Sequence, residues 1–402
     1  MNASKQTENL SNFLFEEAQN KIKIATNFFF PKSSVQVKRN IGSVTNYVCE
    51  LIVNETELFG KYSFLGISQA SLLNNLTCDE LKNLLELQNQ YLENGKIGLL
   101  HEFKALKFFQ KNLPAYFSEH VLYKNGVLLS SKLSGTNLQD LFFVDSIDMV
   151  QVFKNLFYAL QSIHSLSQNY LGYVSKTFSI DTSSSDTLEK FKSNFFNKSN
   201  LIARIQSFSI PPDEISYFLD AYSNMVEVMR PFILKFNNLP RDCIIYGDYK
   251  PENIIISSNF SSEDEYKVGL IDPDLHLGRQ SLDIARLISR TSFFFLYSGV
   301  SEDIKRNVRE GLNSFVKLYK SKYSVNDEEI ILVATMDLMN IMSTYLKLKS
   351  SKNFSNNVVH NFQNRFFIFA IFKELFDFKT GTQKVINVDK FIDLFYFNLE
   401  SS

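Results

Sequence analysis

Residues 8 to 30 carry an amphipathic pattern that predicts one long helix. The pattern then shortens. SSVQVKRN (33–40) and YVCELIV (47–53) read as strands around the loop IGSVTN, and ELFGKYSF (57–64) reads as a third after the turn NET. Strands joined by so few residues pair antiparallel, because a parallel pair needs a long crossover. Thr77 and Glu80 form a capping box ahead of a helix over 78–94, which Gly95 would stop. LLHEFKALKFFQKN (99–112) predicts another helix, ending before Pro114. HVLYKNGVLLSSKL (120–133) predicts a hairpin, with Asn125-Gly126 supplying the positive φ angles of a tight turn. The first 130 or so residues therefore predict a five-stranded antiparallel sheet.

From about residue 136 helical periodicity dominates. Helices are expected near 137–168, 186–206, 213–236, 283–297, 302–323, 326–349, 358–377 and 388–399. One β interruption stands within them, with strands at 254–257 and 267–271. The expected class is α+β. A helical extension (1–34) and a small β-rich lobe (35–132) precede a larger, mainly helical lobe (133–402).

Composition narrows the functions. Of 402 residues, 45% are hydrophobic and 21% charged, as in a folded globular protein. The formal charge is −1, from 42 basic and 43 acidic side chains, so no global field draws the chain to nucleic acid or to a membrane. The densest apolar run, FFIFAIF (366–372), is seven residues long, against the roughly 20 needed to cross a bilayer. The polar start MNASKQTENL lacks the pattern of a secretory signal. A cytoplasmic protein without membrane or nucleic-acid partners is expected. Three cysteines and five histidines are scattered without metal-ligand spacing.

The chemistry concentrates in YGDYKPENIII (246–256). Asp248 and Asn253 stand five positions apart, stiffened by Pro251 and followed by an aliphatic strand. A carboxylate at this interval from an amide suits phosphoryl transfer. The carboxylate orients an attacking hydroxyl and takes its proton, and the amide oxygen meets a metal that bridges nucleotide phosphates. A second acid should end the next strand, and VGLIDPDL (268–275) supplies Asp272 and Asp274.

These motifs resemble the aminoglycoside phosphotransferase and choline kinase group of small-molecule kinases. That family's loop reads His-Gly-Asp-x-x-x-x-Asn, here Tyr246-Gly247-Asp248 through Asn253; its metal motif is matched by Ile271-Asp272-Pro273-Asp274. Gly278, Asp283, Ile284 and Ala285 fit the element that follows. The resemblance covers about residues 35 to 295. It implies a protein-kinase-like two-lobe fold that uses ATP or GTP with Mg2+. Asp248 would be the catalytic base, and Asn253, Asp272 and Asp274 the metal residues. Lys61 would contact the nucleotide phosphates, steadied by Glu102. Gly42, Ser43 and Asn46 would form the phosphate loop, and Ser130 to Leu133 the hinge that meets the purine. The chain departs from the family at Tyr246, Lys250, Glu252 and Pro273, and its phosphate loop has a single glycine.

The acceptor implied is a small hydroxylated molecule, an aminoglycoside-type antibiotic or a choline-like amino alcohol among the candidates. DLHLGRQSLDIARL passes straight into a helix, leaving little room for a peptide platform. The alternative is a catalytically weak pseudokinase or regulator of the same fold. Asp283 reads as an N-cap for a helix beginning at Ile284, and His164 as a core residue. On a helical period Ile330, Ala334, Asp337, Ile341 and Tyr345 share a face. A charge within an apolar stripe must pair. Asp337 therefore meets either an internal Lys or Arg, or a substrate amine with Tyr345 one turn beyond as a cation–π partner.

Overall fold

The computed structural model describes residues 3–41, 46–63, 98–178, 187–207, 212–258, 266–295, 300–324, 326–348 and 387–397, together with 83, 86, 376–377 and 382–383. They group into two compact units: Met1–Ser134 with Gly269–Asp274, and Gly135–Val268 with Leu275–Ser402. The predicted helix over 78–94 lies outside the described residues apart from 83 and 86, both helical.

In the first unit, β1 (Val35–Ile41), β2 (Tyr47–Val53), β3 (Thr56–Tyr62), β4 (Val121–Lys124) and β5 (Val127–Ser131) form one antiparallel sheet in the order β1-β2-β3-β5-β4. Both tight hairpins turn on two residues of positive φ, Asn54-Glu55 (45° and 72°) and Asn125-Gly126 (49° and 78°). That turn sense matches the twist of the strands it joins. At the first turn no glycine is present. The Asn54 side chain ties it down by accepting from the Ser34 N–H at 3.2 Å and donating to Ser33 Oγ at 2.6 Å.

Helix α1 (Ala3–Phe29) packs on one face of this sheet. Leu14, Ala18, Ile22 and Ala25 recur at helical spacing and bury against Cys49, Leu51, Leu58 and Tyr62. Gly60 permits the approach: a Cβ there would stand 2.8 Å from Ile22 Cγ2. Successive strand residues point to opposite faces. With Leu58, Gly60 and Tyr62 turned to α1, Lys61 is turned away from it. Helix α2 (Gly98–Asn112) completes the unit.

The second unit is mainly helical: α3 (Leu138–Leu141), α4 (Met149–Ser165), α5 (Ser167–Thr177), α6 (Thr187–Phe191), α7 (Lys198–Gln206), α8 (Pro212–Asn237), α9 (Gln280–Phe294), α10 (Glu302–Lys322), α11 (Asp327–Leu348) and α12 (Val388–Phe397). Local caps divide two stretches expected as single helices. Asp148 accepts from the Gln151 N–H at 3.1 Å and starts α4, and Asn197 accepts from the Ser199 N–H at 2.8 Å and starts α7. Helix α9 begins at Gln280, ahead of the predicted start. Phe376–Asp377, expected to end a helix, instead pairs as a strand with Thr382–Gln383. Short strands carry the intervening loops. β6 (Thr136–Asn137), β8 (Ile254–Ser258) and β9 (Tyr266–Leu270) form a three-stranded sheet, and β7 (Cys243–Ile245) pairs antiparallel with β10 (His276–Gly278). Phenylalanine and tyrosine fill the core that tryptophan never enters: Phe153, Phe157, Phe315 and Tyr319 interlock between α4 and α10. Among the described residues no helix is long and apolar enough to cross a membrane.

Candidate active site

Strand β7 is wholly buried and delivers the chain to Tyr246. Gly247 turns it with φ of +83°, a conformation that costs glycine nothing. Helix α9 then grips the loop. The Asp283 carboxylate accepts from the backbone N–H groups of Tyr246 (2.9 Å) and Gly247 (2.8 Å), and one of its oxygens lies 3.0 Å from His164 Nε2. His164 is fixed in turn by Tyr319, whose hydroxyl lies 2.7 Å from Nδ1. One turn along α9, Arg286 donates to the Gly247 carbonyl (2.5 Å) and pairs with Asp248 (3.0 Å). Tyr246 and Tyr249 are buried edge to face beneath the loop, and the Tyr249 hydroxyl donates to the Leu156 carbonyl at 2.9 Å.

This clamp presents Asp248. Pro251–Asn253 forms a single 3-10 turn that folds Asn253 back onto it. The Asn253 amide donates to the Asp248 carbonyl at 3.0 Å and to its carboxylate at 2.9 Å. With its nitrogen so committed, the Asn253 side chain has its carbonyl oxygen left as an acceptor. Lys250 pairs with the same carboxylate oxygen at 2.8 Å. Burial pushes the Asp248 carboxyl up, but Lys250 and Arg286 together outweigh it and hold the group below its ordinary range. Asp248 is an ionised, oriented hydrogen-bond acceptor.

In the first unit Lys61 is buried and pairs with Glu102 of α2 at 2.8 Å and with Asp272. Burial alone would lower the lysine pKa; Asp272 and Glu102 reverse the sign and raise it. The Glu102 carboxyl is raised to about 7 by burial, opposed by Lys61 and reinforced by Asp272. Asp272 adopts φ of +61°, uncommon for a residue other than glycine, and its side chain is 40% exposed. Asp274 is buried and lies 3.3 Å from His101 Nε2. Asn46 stands half-buried just before β2, whereas Gly42 and Ser43 lie outside the described residues. In the expected hinge, the Ser131 and Lys132 N–H groups donate to His120 and Glu57 carbonyls at 2.9 and 3.1 Å.

Asp337 lies on α11, where Ser289 and Arg290 donate to it at 2.6 and 2.9 Å and Arg286 stands 3.6 Å away. Burial works to raise its pKa, and Arg290 and Arg286 lower it on balance. The partner that the apolar stripe demanded is thus supplied from within the chain. Tyr345 belongs to the same helix, and its side chain lies outside the described residues. A small pocket of about 20 Å³ adjoins the Asp248 loop at Pro251 and Glu252 and is walled by Phe142, Phe143, Phe294 and Arg290.

No family model matches the chain, and no curated protein does. Solved structures do. The chain is similar in structure to small-molecule kinases. One is an amicoumacin kinase in complex with AMP-PNP and Ca2+, at 12% identity and a TM-score of 0.49, covering 87% of this chain and 92% of that one. Another is a spectinomycin phosphotransferase in complex with ADP and spectinomycin (14%, 0.47, covering 94% and 98%). A third is a Plasmodium vivax ethanolamine kinase (12%, 0.44, covering 83% and 82%).

Two features of the site escaped the sequence pattern. Asp283, expected to cap a helix at Ile284, lies inside the first turn of α9, where Arg279 takes the N-cap position. Its carboxylate is therefore directed to the loop and not to its own helix. Arg286 and Arg290 went unassigned, although Asp283, Arg286 and Arg290 follow at i, i+3 and i+7 and so share a helix face.

Proposed function

We propose that the protein is a phosphotransferase that moves the terminal phosphoryl group of ATP or GTP to a hydroxyl of a small molecule. The observation that carries this reading is the Asp248–Asn253 pair, joined at 2.9 Å on a loop whose backbone is clamped by Asp283 and Arg286. Such rigidity is what positional catalysis requires. In the proposed reaction Asp248 accepts the hydrogen bond of the acceptor hydroxyl and takes its proton as the new phosphorus–oxygen bond forms and the bond from the terminal phosphorus to the bridging oxygen breaks, releasing ADP or GDP. Lys61 meets the nucleotide phosphates, and Glu102 holds its ammonium in place.

Among the described residues no group of three or more His, Cys, Asp and Glu side chains is placed to hold a metal ion. Mg2+ at nucleotide sites typically takes one or two protein oxygens and completes its shell with phosphate and water. Asn253, through its carbonyl oxygen, and Asp272, through its half-exposed carboxylate, are each proposed as such an oxygen donor, and Mg2+ would supply neutralisation of phosphate charge. Asp274, turned toward His101, supports the segment in this reading.

One observation favours a second reading, a catalytically weak nucleotide-binding protein. Asp248 carries a cation on each carboxylate oxygen, Lys250 on one and Arg286 on the other, which lowers its basicity. Nucleotide consumption measured against a panel of hydroxylated small molecules separates the two. Acceptor-dependent ADP formation supports the transferase. Mg2+-dependent nucleotide binding without turnover for any acceptor supports the weak binder.

A further inference from the structure

Helix α10 carries an apolar stripe: Leu312, Phe315, Val316 and Tyr319 recur at helical spacing and are all buried. One member of the stripe has a hydroxyl. A phenylalanine would fill the same space, so the oxygen of Tyr319 calls for a partner of its own. Its ring is set by Phe157, Phe315 and Tyr323, whose centroids lie 6.0, 6.0 and 4.7 Å away. The hydroxyl then stands 2.7 Å from His164 Nδ1, and among the described residues it makes no other hydrogen bond. Burial pushes its pKa up, so it remains a phenol with a proton to give.

The second ring nitrogen of His164, Nε2, lies 3.0 Å from Asp283 Oδ2, and neither side chain is exposed to solvent. Asp283 already accepts from the Tyr246 and Gly247 N–H groups. A carboxylate that accepts from two backbone donors has only lone pairs to offer a third group. Nε2 therefore carries the proton. Only with Nδ1 as acceptor does the buried phenol proton find a partner. The opposite tautomer would set the Nε2 lone pair against a carboxylate oxygen and strand the Tyr319 proton, which is costly away from water. The hydrogen bonds thus run in one sense, from α10 through α4 to α9, and end at the residue before Asp248.

We propose that Tyr319 is a positioning residue for Asp248. Its hydroxyl fixes His164 as the Nε2–H tautomer, and that proton completes the set of donors that holds Asp283 under the loop. Without the hydroxyl the ring is free to protonate at Nδ1, the Asp283 carboxylate loses a donor, and the two backbone N–H groups it seats lose their fixed acceptor. The consequence for turnover rests on the phosphotransferase reading; the tautomer and the mounting of the loop do not.

The test combines nitrogen NMR of the histidine rings, amide hydrogen exchange and turnover for the full chain. Wild type, Tyr319→Phe, His164→Gln and the double variant are compared, and His164→Gln identifies the His164 signals by their loss. The wild type should show Nε2 protonated and Nδ1 bare. Tyr319→Phe should give a mixture of tautomers and speed exchange of the Tyr246 and Gly247 N–H groups about 10-fold. Its turnover should fall about 10-fold, within the roughly 100-fold that displacing a reacting group by about 1 Å can cost. Nucleotide affinity and acceptor KM should stay near wild type. In His164→Gln, which has no tautomer to choose, Tyr319→Phe should change turnover less than about 2-fold. A wild type protonated at Nδ1 overturns the proposal and needs no variant. So does a Tyr319→Phe protein with unchanged tautomer and exchange, or an equal loss of turnover with and without His164, which would mean packing alone. If tautomer and exchange respond as expected and the wild type turns over no acceptor, the mounting of the loop stands and the phosphotransferase reading falls.

Discussion

The Gly247 N–H donates to the Asp283 carboxylate at 2.8 Å. The Tyr246 N–H and His164 converge on the same buried side chain. Asp283→Ala leaves two backbone donors and an imidazole without their acceptor, at roughly 1–3 kcal/mol for each buried donor stranded. Urea unfolding should show a loss of about 3 kcal/mol or more, and turnover should fall because Asp248 loses its mounting. Unchanged stability and unchanged turnover would remove Asp283 from the role of loop anchor.

Asp248→Asn keeps the size of the side chain and removes its charge. A general base contributes typically ~10²–10⁴-fold, so turnover should drop at least about 100-fold. Nucleotide affinity should stay near wild type, because in the proposed reaction the residue meets the acceptor and not the phosphates. A variant of near-normal rate would show that the proton goes elsewhere.

Asp272→Ala should abolish the strengthening of nucleotide binding by Mg2+. Lys61→Met should weaken nucleotide binding with or without the metal. Affinities measured with Mg2+ and in chelator test both. An unchanged Mg2+ effect in Asp272→Ala would place the metal on other residues.

Asp337→Asn leaves Arg290 and Arg286 facing an amide within the helical core. Breaking a buried pair costs about 3–5 kcal/mol. The melting temperature should drop while the acceptor KM stays as in wild type. The opposite pattern, a raised acceptor KM at full stability, would restore Asp337 as a substrate contact.

Glu50 sets an acid limit on the first unit. Its side chain is buried in β2 and pairs with Lys132 at 2.5 Å and Arg39 at 2.7 Å. Lys132 acts most strongly and holds the carboxyl down to about 2; burial opposes it and Arg39 assists. The unfolded value is about 4.3. The folded state therefore prefers the ionised form, and the contribution is fully present above about pH 5 and is lost as pH falls toward 2. The stability difference between wild type and Glu50→Gln should shrink steadily over that window. A difference independent of pH would mean that Glu50 acts through packing alone.

The sequence by itself determined whatever depends on near neighbours. Asn125-Gly126 makes its hairpin because two residues of positive φ suffice. Asp248 and Asn253 meet because a single 3-10 turn around Pro251 spans the interval between them. The apolar period of α1 determined which of its faces is buried, and that of α11 that Asp337 must find a partner.

Only the tertiary structure decided who the partners are. Lys61 draws Glu102 from 41 positions away and Asp272 from 211, and Asp283 reaches back 36 to Gly247. Periodicity shows which side of an element avoids water, and it is silent on which charge will stand opposite. Asp337 could pair with a ligand or with the chain until α9 and α11 packed and brought Arg290 within 2.9 Å. Asp283 could cap its own helix until that helix began earlier, at Gln280, and turned the carboxylate to the loop. The desolvation of a charge depends on every element that closes over it, and that is a property of packing.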